Sequence, residues 1–367
     1  MRFMRVAVVL AAVAVVAGCT ASGTAVPSPT AFARGDRPMA PLAGGPLTGS
    51  GLRLLVTGDR AYLLEVDSGR RTAIEGLPSG RQYWGFVAGR RTVVAAVKPG
   101  RRDPGRFHVL DGVRARPLAD GVWAFASRDG RGVWVTRTAG SRCELREFTF
   151  AGTASRPGFP VGCDEAPFAD SELGLLANRN DGTMAVLSRD GGRPLSVSRD
   201  EPGWQVLGTT RRPAVALVRS VGAGGRESLA LLDPATRRAT PVGSPATEGR
   251  SVVAVPDPAG RLLAVRFGDP AFPGPRQYLD VWVLEIGTLR WTRLPSMPVP
   301  ASIKTASMAW TPDGRLVLTG DYVMTDKVYP AESDYASMVV DWRPGERALR
   351  VRRLPVARGE IAILAPR

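Results

Sequence analysis

The chain has 367 residues, and its 42 glycines and 31 prolines punctuate a sequence that is still 44% hydrophobic, which excludes a disordered chain and points to many short strands. Its formal charge of +15 rests on arginine, because Lys98, Lys304 and Lys327 are the only lysines among 49 basic residues. A single histidine, His108, and three cysteines exclude most zinc sites and most nucleophile–base hydrolases, which need several such side chains together.

The chain opens with Arg2 and Arg5, continues as an unbroken apolar run from Val6 to Ala17, and reaches Val16-Ala17-Gly18-Cys19. The run is twelve residues long. A bilayer-crossing helix needs roughly twenty, so the run reads as a segment to be removed. This order of charge, apolar core and small residues before cysteine resembles the signals of bacterial lipoproteins. The resemblance implies cleavage after residue 18, a diacylglycerol on the Cys19 sulfur, and residence on the extracytoplasmic face of the cell membrane. An ordinary secretory signal with a coincidental cysteine and an uncleaved anchor are the alternatives. Two acyl chains, at about 0.8 kcal/mol per buried methylene, hold a protein on a membrane where one chain is marginal. That address argues against nucleic acid as a partner. The preference for arginine resembles the codon bias of high-G+C actinobacteria; the functional alternative is attraction to anionic headgroups or wall polymers, which salt would screen.

Residues 19 to 48 are rich in Pro, Gly, Ser and Thr without apolar periodicity, and are expected to form a flexible tether ahead of a folded domain at 49–367. From Leu52 onward a unit of 40 to 50 residues recurs, a period typical of propellers and solenoids. Its clearest copies are Val253-Ala-Val-Pro-Asp-Pro-Ala-Gly-Arg-Leu-Leu-Ala-Val265 and Met308-Ala-Trp-Thr-Pro-Asp-Gly-Arg-Leu-Val-Leu318, each a strand, a tight turn and a strand. A third strand ending in an acidic turn follows, as in Ser228-Leu-Ala-Leu-Leu-Asp-Pro234 and Ser337-Met-Val-Val-Asp-Trp342, and then a short basic fourth strand such as Arg290-Trp-Thr-Arg-Leu-Pro295.

Four antiparallel strands make a propeller blade. The units predict an all-β, seven-bladed propeller with blades near 52–80, 81–121, 122–164, 165–203, 204–249, 250–298 and 299–357; six or eight blades are the alternatives. The first unit lacks an innermost strand, so Glu360-Ile-Ala-Ile-Leu-Ala-Pro-Arg367 is expected to return and close the ring. The Pro-Asp-Gly-Arg turns resemble those of WD40-like and TolB-type propellers of bacterial envelopes, without the Gly-His to Trp-Asp pairing of true WD40 repeats.

Cys143 and Cys163 lie either side of a hairpin turn at 152–154, in a compartment that preserves disulfides, and are expected to be bonded. The repeated aspartates Asp67, Asp111, Asp233, Asp257, Asp313 and Asp341 read as turn residues, since catalytic groups have no reason to recur in every blade. His108 sits mid-strand and reads as structural. No cofactor or metal is expected.

The departures from the repeat carry the functional signal. Between second and third strands, blades six and seven hold long insertions, 268–278 and 320–335, which in a propeller open on one face beside each other. They concentrate tyrosine and acid, giving a candidate contact set of Asp269, Phe272, Tyr278, Asp321, Tyr322, Asp326, Tyr329, Glu332, Asp334 and Tyr335. A tolerated surface insertion is the bland reading. The expectation is a monomeric, membrane-anchored binding module whose partner is an envelope protein or glycan; the alternative is an enzyme acting on envelope glycan or a quinone-dependent dehydrogenase.

Overall fold

The computed structural model describes residues 40–363 apart from 58–59, 79–82, 89–90, 97–104, 140–141, 164–165, 172–173, 179–183, 192–193, 196–204, 211–212, 223–226, 234–235, 237, 248, 269–277, 303–305, 328–330 and 357–359. The first element, β1, is only Gly45–Pro46. Blade one uses β2 (Arg53–Thr57), β3 (Tyr62–Glu65) and β4 (Arg71–Ala73). Blade two is β5 (Tyr83–Ala88), β6 (Arg91–Ala96), β7 (Gly105–Asp111) and β8 (Arg114–Gly121); blade three is β9 (Trp123–Ala126), β10 (Gly132–Ala139), β11 (Arg142–Thr149) and β12 (Phe159–Val161). Blade four is β13 (Ala166–Ser171), β14 (Gly174–Asn178), β15 (Met184–Leu187) and β16 (Pro194–Leu195); blade five is β17 (Gln205–Thr209), β18 (Ala216–Val221), β19 (Glu227–Leu232) and β20 (Ala239–Val242). Blade six is β21 (Arg250–Pro256), β22 (Leu262–Gly268), β23 (Tyr278–Glu285) and β24 (Arg290–Arg293), with β25 (Val299–Pro300) beside it. Blade seven is β26 (Ser307–Trp310), β27 (Leu316–Val323), β28 (Tyr335–Trp342) and β29 (Arg350–Arg353), and the last strand is β30 (Glu360–Ile363).

These strands form seven sheets, one per blade, and the four strands of each blade run antiparallel from the inner strand outward. The fold is the seven-bladed propeller that the repeat predicts. Ring closure is also as expected: β30 pairs antiparallel with β2, Leu54 opposite Ile363 and Val56 opposite Ile361, supplying the inner strand that blade one lacks. A C-terminal strand in an N-terminal blade removes a free sheet edge and ties the two ends of the ring together.

Alternation along each strand sends successive side chains into the seams on either side of its blade. Seven clusters result among the described residues, one per seam. Val317, Val339 and Leu354 of blade seven, for example, meet Leu54, Val56 and Leu64 of blade one across the closing seam. In the seam between blades five and six, Leu217, Leu229 and Leu231 meet Leu263, Val265 and Phe267.

Residues 40–48 do not stand apart from the propeller. Gly45 and Pro46 pair in parallel with Arg350 and Val351, making a fifth strand on the outer edge of blade seven. Leu42 and Leu47 are buried, worth about 1.5–3 kcal/mol each if fully covered. Gly44 permits the approach, since a Cβ there would lie 2.5 Å from the Leu349 carbonyl oxygen. Residues 40–48 therefore belong to the domain, correcting the boundary at 49. A backbone pairing with a strand some 300 residues away leaves no local pattern to read.

Cys143 and Cys163 are disulfide-bonded, with Cα atoms 5.1 Å apart. Within the strands Cys143 stands opposite Val161, and Cys163 lies two residues further on. The hairpin is not symmetrical: Phe148 pairs with Ala154 but Leu145 pairs with Phe159, a two-residue shift of register between them. The bond fastens the outer strand of blade three to its neighbour, where the pairing is shortest.

The recurring aspartates hold turns. Asp67 accepts from the Ser50 and Gly51 amides at 3.0 and 2.6 Å, and Asp257 accepts from the Leu262 amide at 2.7 Å. Asp341 is buried between Arg315 and Arg350, and Arg315 also reaches Glu346 at 2.9 Å. His108 is buried in β7 opposite Val94. Burial, reinforced by Arg106, pushes its imidazole below the usual value and keeps it neutral.

Candidate functional site

A four-stranded blade has two ends. The turns between first and second and between third and fourth strands lie at one end; the connections between second and third strands, and from blade to blade, lie at the other. We call the second end the upper face. Both long insertions open there.

The 320–335 segment is only partly a loop. β27 and β28 continue into it, pairing Gly320 with Met338, Asp321 with Ser337, Tyr322 with Ala336 and Val323 with Tyr335, so their ladder is eight pairs long against six in blade six and only 324–334 form the connection. The blade-to-blade segment beside it is drawn into the same sheet system. Val299 and Pro300 pair with Leu279 and Tyr278 of blade six, Ala301 bridges to Tyr322, and the Ser302 amide donates to the Asp321 carbonyl at 2.8 Å. On its other edge β27 lies close to the entry of β26, which Gly320 permits, because a Cβ there would sit 3.1 Å from the Ala306 Cα. The stems of the two insertions are thus laced together through 299–302, as neighbours on one face.

This lacing divides the predicted contact residues. Tyr322 is fully buried among Leu279, Val299 and Met338, and burial pushes its phenol well above the usual value. Asp321 is 2% exposed and accepts from Ser337 Oγ at 2.6 Å. Both are internal props of the hairpin and not outward contacts, a correction whose cause is the extended register. Tyr278 and Tyr335 are half-buried at strand ends. Asp334 closes the connection on itself: it accepts from Lys327 Nζ at 3.0 Å and from the Ala331 amide at 2.7 Å, which together hold its carboxyl below the usual range. Glu332 begins a single 3-10 turn ending at Asp334, and Asp326 is exposed. Cys19, Asp269, Phe272 and Tyr329 lie outside the described residues.

Sequence reasoning missed the apolar part of the face. The large hydrophobic side chains that stand exposed among the described residues are Trp123, Val221 and Met324, at 45%, 47% and 38%. Trp123 starts the inner strand of blade three, Val221 ends the second strand of blade five, and Met324 follows the second strand of blade seven. All three positions are on the upper face. Nothing in the sequence separates them from other strand residues, because only the ring puts three distant strand ends on one side. Among the described residues no three His, Cys, Asp or Glu side chains stand together as a metal site, and no helix is long and apolar enough to cross a membrane.

No protein-family model and no curated protein sequence matches the chain. Solved structures do. A functionally unknown protein from Desulfotomaculum acetoxidans aligns over 87% of this chain and 100% of its own, at 12% identity and a TM-score of 0.53. Prolyl oligopeptidase B from Galerina marginata aligns over 88% of this chain and 52% of its own, at 11% identity and a TM-score of 0.53. TolB from Acinetobacter baumannii aligns more loosely, over 84% and 65%, at 12% identity and a TM-score of 0.45. At such identities the first two share the fold with this chain and nothing more.

Proposed function

We propose that this protein is a lipid-anchored binding module of the cell envelope, held by Cys19 and presenting its upper face to an envelope protein or glycan. The observation that carries the reading is that Trp123, Val221 and Met324, in blades three, five and seven, all stand exposed on the face where the stems of the insertions are laced together. Exposed aromatic and apolar side chains distributed over one face supply the anchors that a contact surface uses. The path of the N-terminal segment supports the same orientation. β1 runs parallel to the start of β29, and Ser50 and Gly51 meet Asp67 in a turn between third and fourth strands, so the chain leading from Cys19 joins the propeller at its lower end. The upper face then points away from the membrane.

A photo-crosslinking side chain at Met324, compared with one at the exposed Ser68 on the lower end, tests the reading in intact cells. Capture of a defined species from Met324 and not from Ser68 is expected; equal capture from both positions would remove the special status of the upper face. Cys19→Ala should release the protein from membranes, and continued association would refute the anchor. Turnover of an envelope glycan or a quinone-coupled oxidation by the purified chain would instead favour the enzyme alternative.

A further inference from the structure

Blades five and six each carry an arginine at the same place in the second strand, three residues after the first of three buried residues: Ala216-Leu-Val-Arg219 and Leu263-Ala-Val-Arg266. Each guanidinium crosses to the backbone of the next blade, Arg219 Nη1 to the Ser251 carbonyl and Arg266 Nη1 to the Ala306 carbonyl. There the likeness ends. Arg219 is paired across the sheet with Gln205, whose Oε1 accepts from Nε at 2.8 Å. Glu227 lies 3.6 Å away and accepts in turn from the Ser251 amide at 3.1 Å. The corresponding positions in blade six are apolar: Val253 stands where Gln205 does, and continuing the ladder past Phe267 and Asp280 puts Leu279 in the place of Glu227.

Arg266 is consequently a largely buried charge with no carboxylate beside it among the described residues, and its Nε–H has no partner. Burial pulls its pKa down, and Tyr322 is the titratable side chain that bears on it. Residues 262, 264 and 266 of β22 and 318, 320 and 322 of β27 alternate onto the same seam, where Ala264, Leu279 and Tyr322 pack in one cluster. The Tyr322 hydroxyl, fully buried in that seam, also lacks a partner. Unpaired buried donors of this kind are rare, and one that is ionised is costly unless a ligand meets it. Arg266 still keeps part of its surface open to solvent.

We propose that Arg266 and Tyr322 form a recognition site for a carboxylate group, at the upper end of the seam between blades six and seven. One fixed positive charge, an unpaired Nε–H and one unpaired phenol match a planar monoanion better than a bulkier dianion. Apolar walls at Leu279, Val281 and Ala264 leave the rest of the ligand no competing charge. The site deepens the binding-face reading and rests on it, since it names the chemistry that face selects.

Full-length chain in detergent is titrated calorimetrically with methyl glucuronide and with N-acetylalanine, against methyl glucoside, N-acetylalanine amide and inorganic phosphate. Saturable binding of a carboxylate and not of its neutral twin is expected, with the glucuronide favoured if the source is a glycan and the acyl amino acid if it is a peptide. Arg266→Met should weaken binding at least about tenfold and Tyr322→Phe about threefold. If Arg266→Met does not fold, Arg266→Lys keeps the charge but loses the flat edge, and several-fold weaker binding is expected. Failure of both carboxylates to bind, equal binding of the neutral twins or of phosphate, or unchanged affinity in the Arg266 variants would overturn the site. Crosslinking from Met324 that persists while no carboxylate binds would sink this site alone; carboxylate binding without Met324 capture would sink the face and leave the pocket.

Discussion

The seams on either side of blade six are built from the same repeat and reach opposite electrostatic outcomes. Between blades five and six, Arg219 is satisfied within the seam by Gln205, Glu227 and the Ser251 carbonyl. Between blades six and seven, Arg266 keeps the arginine and loses both side-chain partners to Val253 and Leu279. A repeat that conserves geometry serves as its own control: what changes at a matched position cannot be ascribed to the fold. One seam uses its arginine for cohesion, whereas the other leaves its arginine without a carboxylate partner among the described residues.

That contrast is most open to attack at the satisfied arginine. Arg219→Met should strand Glu227 in the seam and lower stability by about 2–3 kcal/mol, a discount from fully buried pairs because both side chains keep some exposure. Chemical unfolding would measure it. Next in size, Leu279→Glu transplants the missing partner into blade six. It should occupy Arg266 internally and reduce carboxylate affinity at least about tenfold, or about 1.4 kcal/mol, with the fold retained; an unchanged titration would show that Leu279 does not stand where Glu227 does.

Arg266→Met should behave in the reverse sense to Arg219→Met, raising stability by about 1 kcal/mol because an unpaired buried charge is replaced by a well-packed apolar side chain. Equal losses in the two variants would erase the contrast. Tyr322→Phe removes a hydroxyl that has no partner, so stability should stay within about 0.5 kcal/mol of the parent. A larger loss would mean that the phenol is bonded in solution.

The smallest expected effect is that of pH, and it lies away from both seams. The imidazole of His108 is held below its ordinary value by burial, so the unfolded chain binds the proton more readily. Its contribution is therefore present above the unfolded pKa of about 6.5 and lost as pH falls through the folded value. Asp67, Asp129, Asp313 and Glu346 are also held low, by hydrogen bonds that include those from the Ser50, Arg131, Thr311 and Arg315 donors, and add a second loss of stability at more acid pH. Urea midpoints from pH 8 to pH 4 should show both steps, and His108→Gln should remove the upper one only.

Much of this was legible along the chain. Period-two alternation bounded by Asp-Gly and Pro-Asp turns marks the strands, and seven such units with one strand missing at the start and one left over at the end imply closure by Glu360–Ile363. Two cysteines flanking one hairpin imply their own bond. The site was legible only in outline. The length of 320–335 announces something unusual between second and third strands, but a short polar-and-aromatic run such as Gly320-Asp-Tyr-Val323 reads as loop until its pairing partners are known, and Tyr322 and Asp321 face in. Residues 299–302 gave no warning either, since a two-residue strand that pairs at the end of blade six and then touches blade seven has no periodicity of its own.

The amino-acid order by itself determined the blade, because strand, turn and next strand are neighbours in the chain and their chemistry is local. It determined the ring as well, through the arithmetic of strands. Only the tertiary structure decided which side chains meet across a seam: that Trp123, Val221 and Met324 share a face, that Leu47 packs against blade seven, and that Arg266 shares a seam with Tyr322 without an acid beside it among the described residues. Seams bring together residues 40 to 300 positions apart, and at that distance alternation says that a side chain points into a seam but not what will be waiting there.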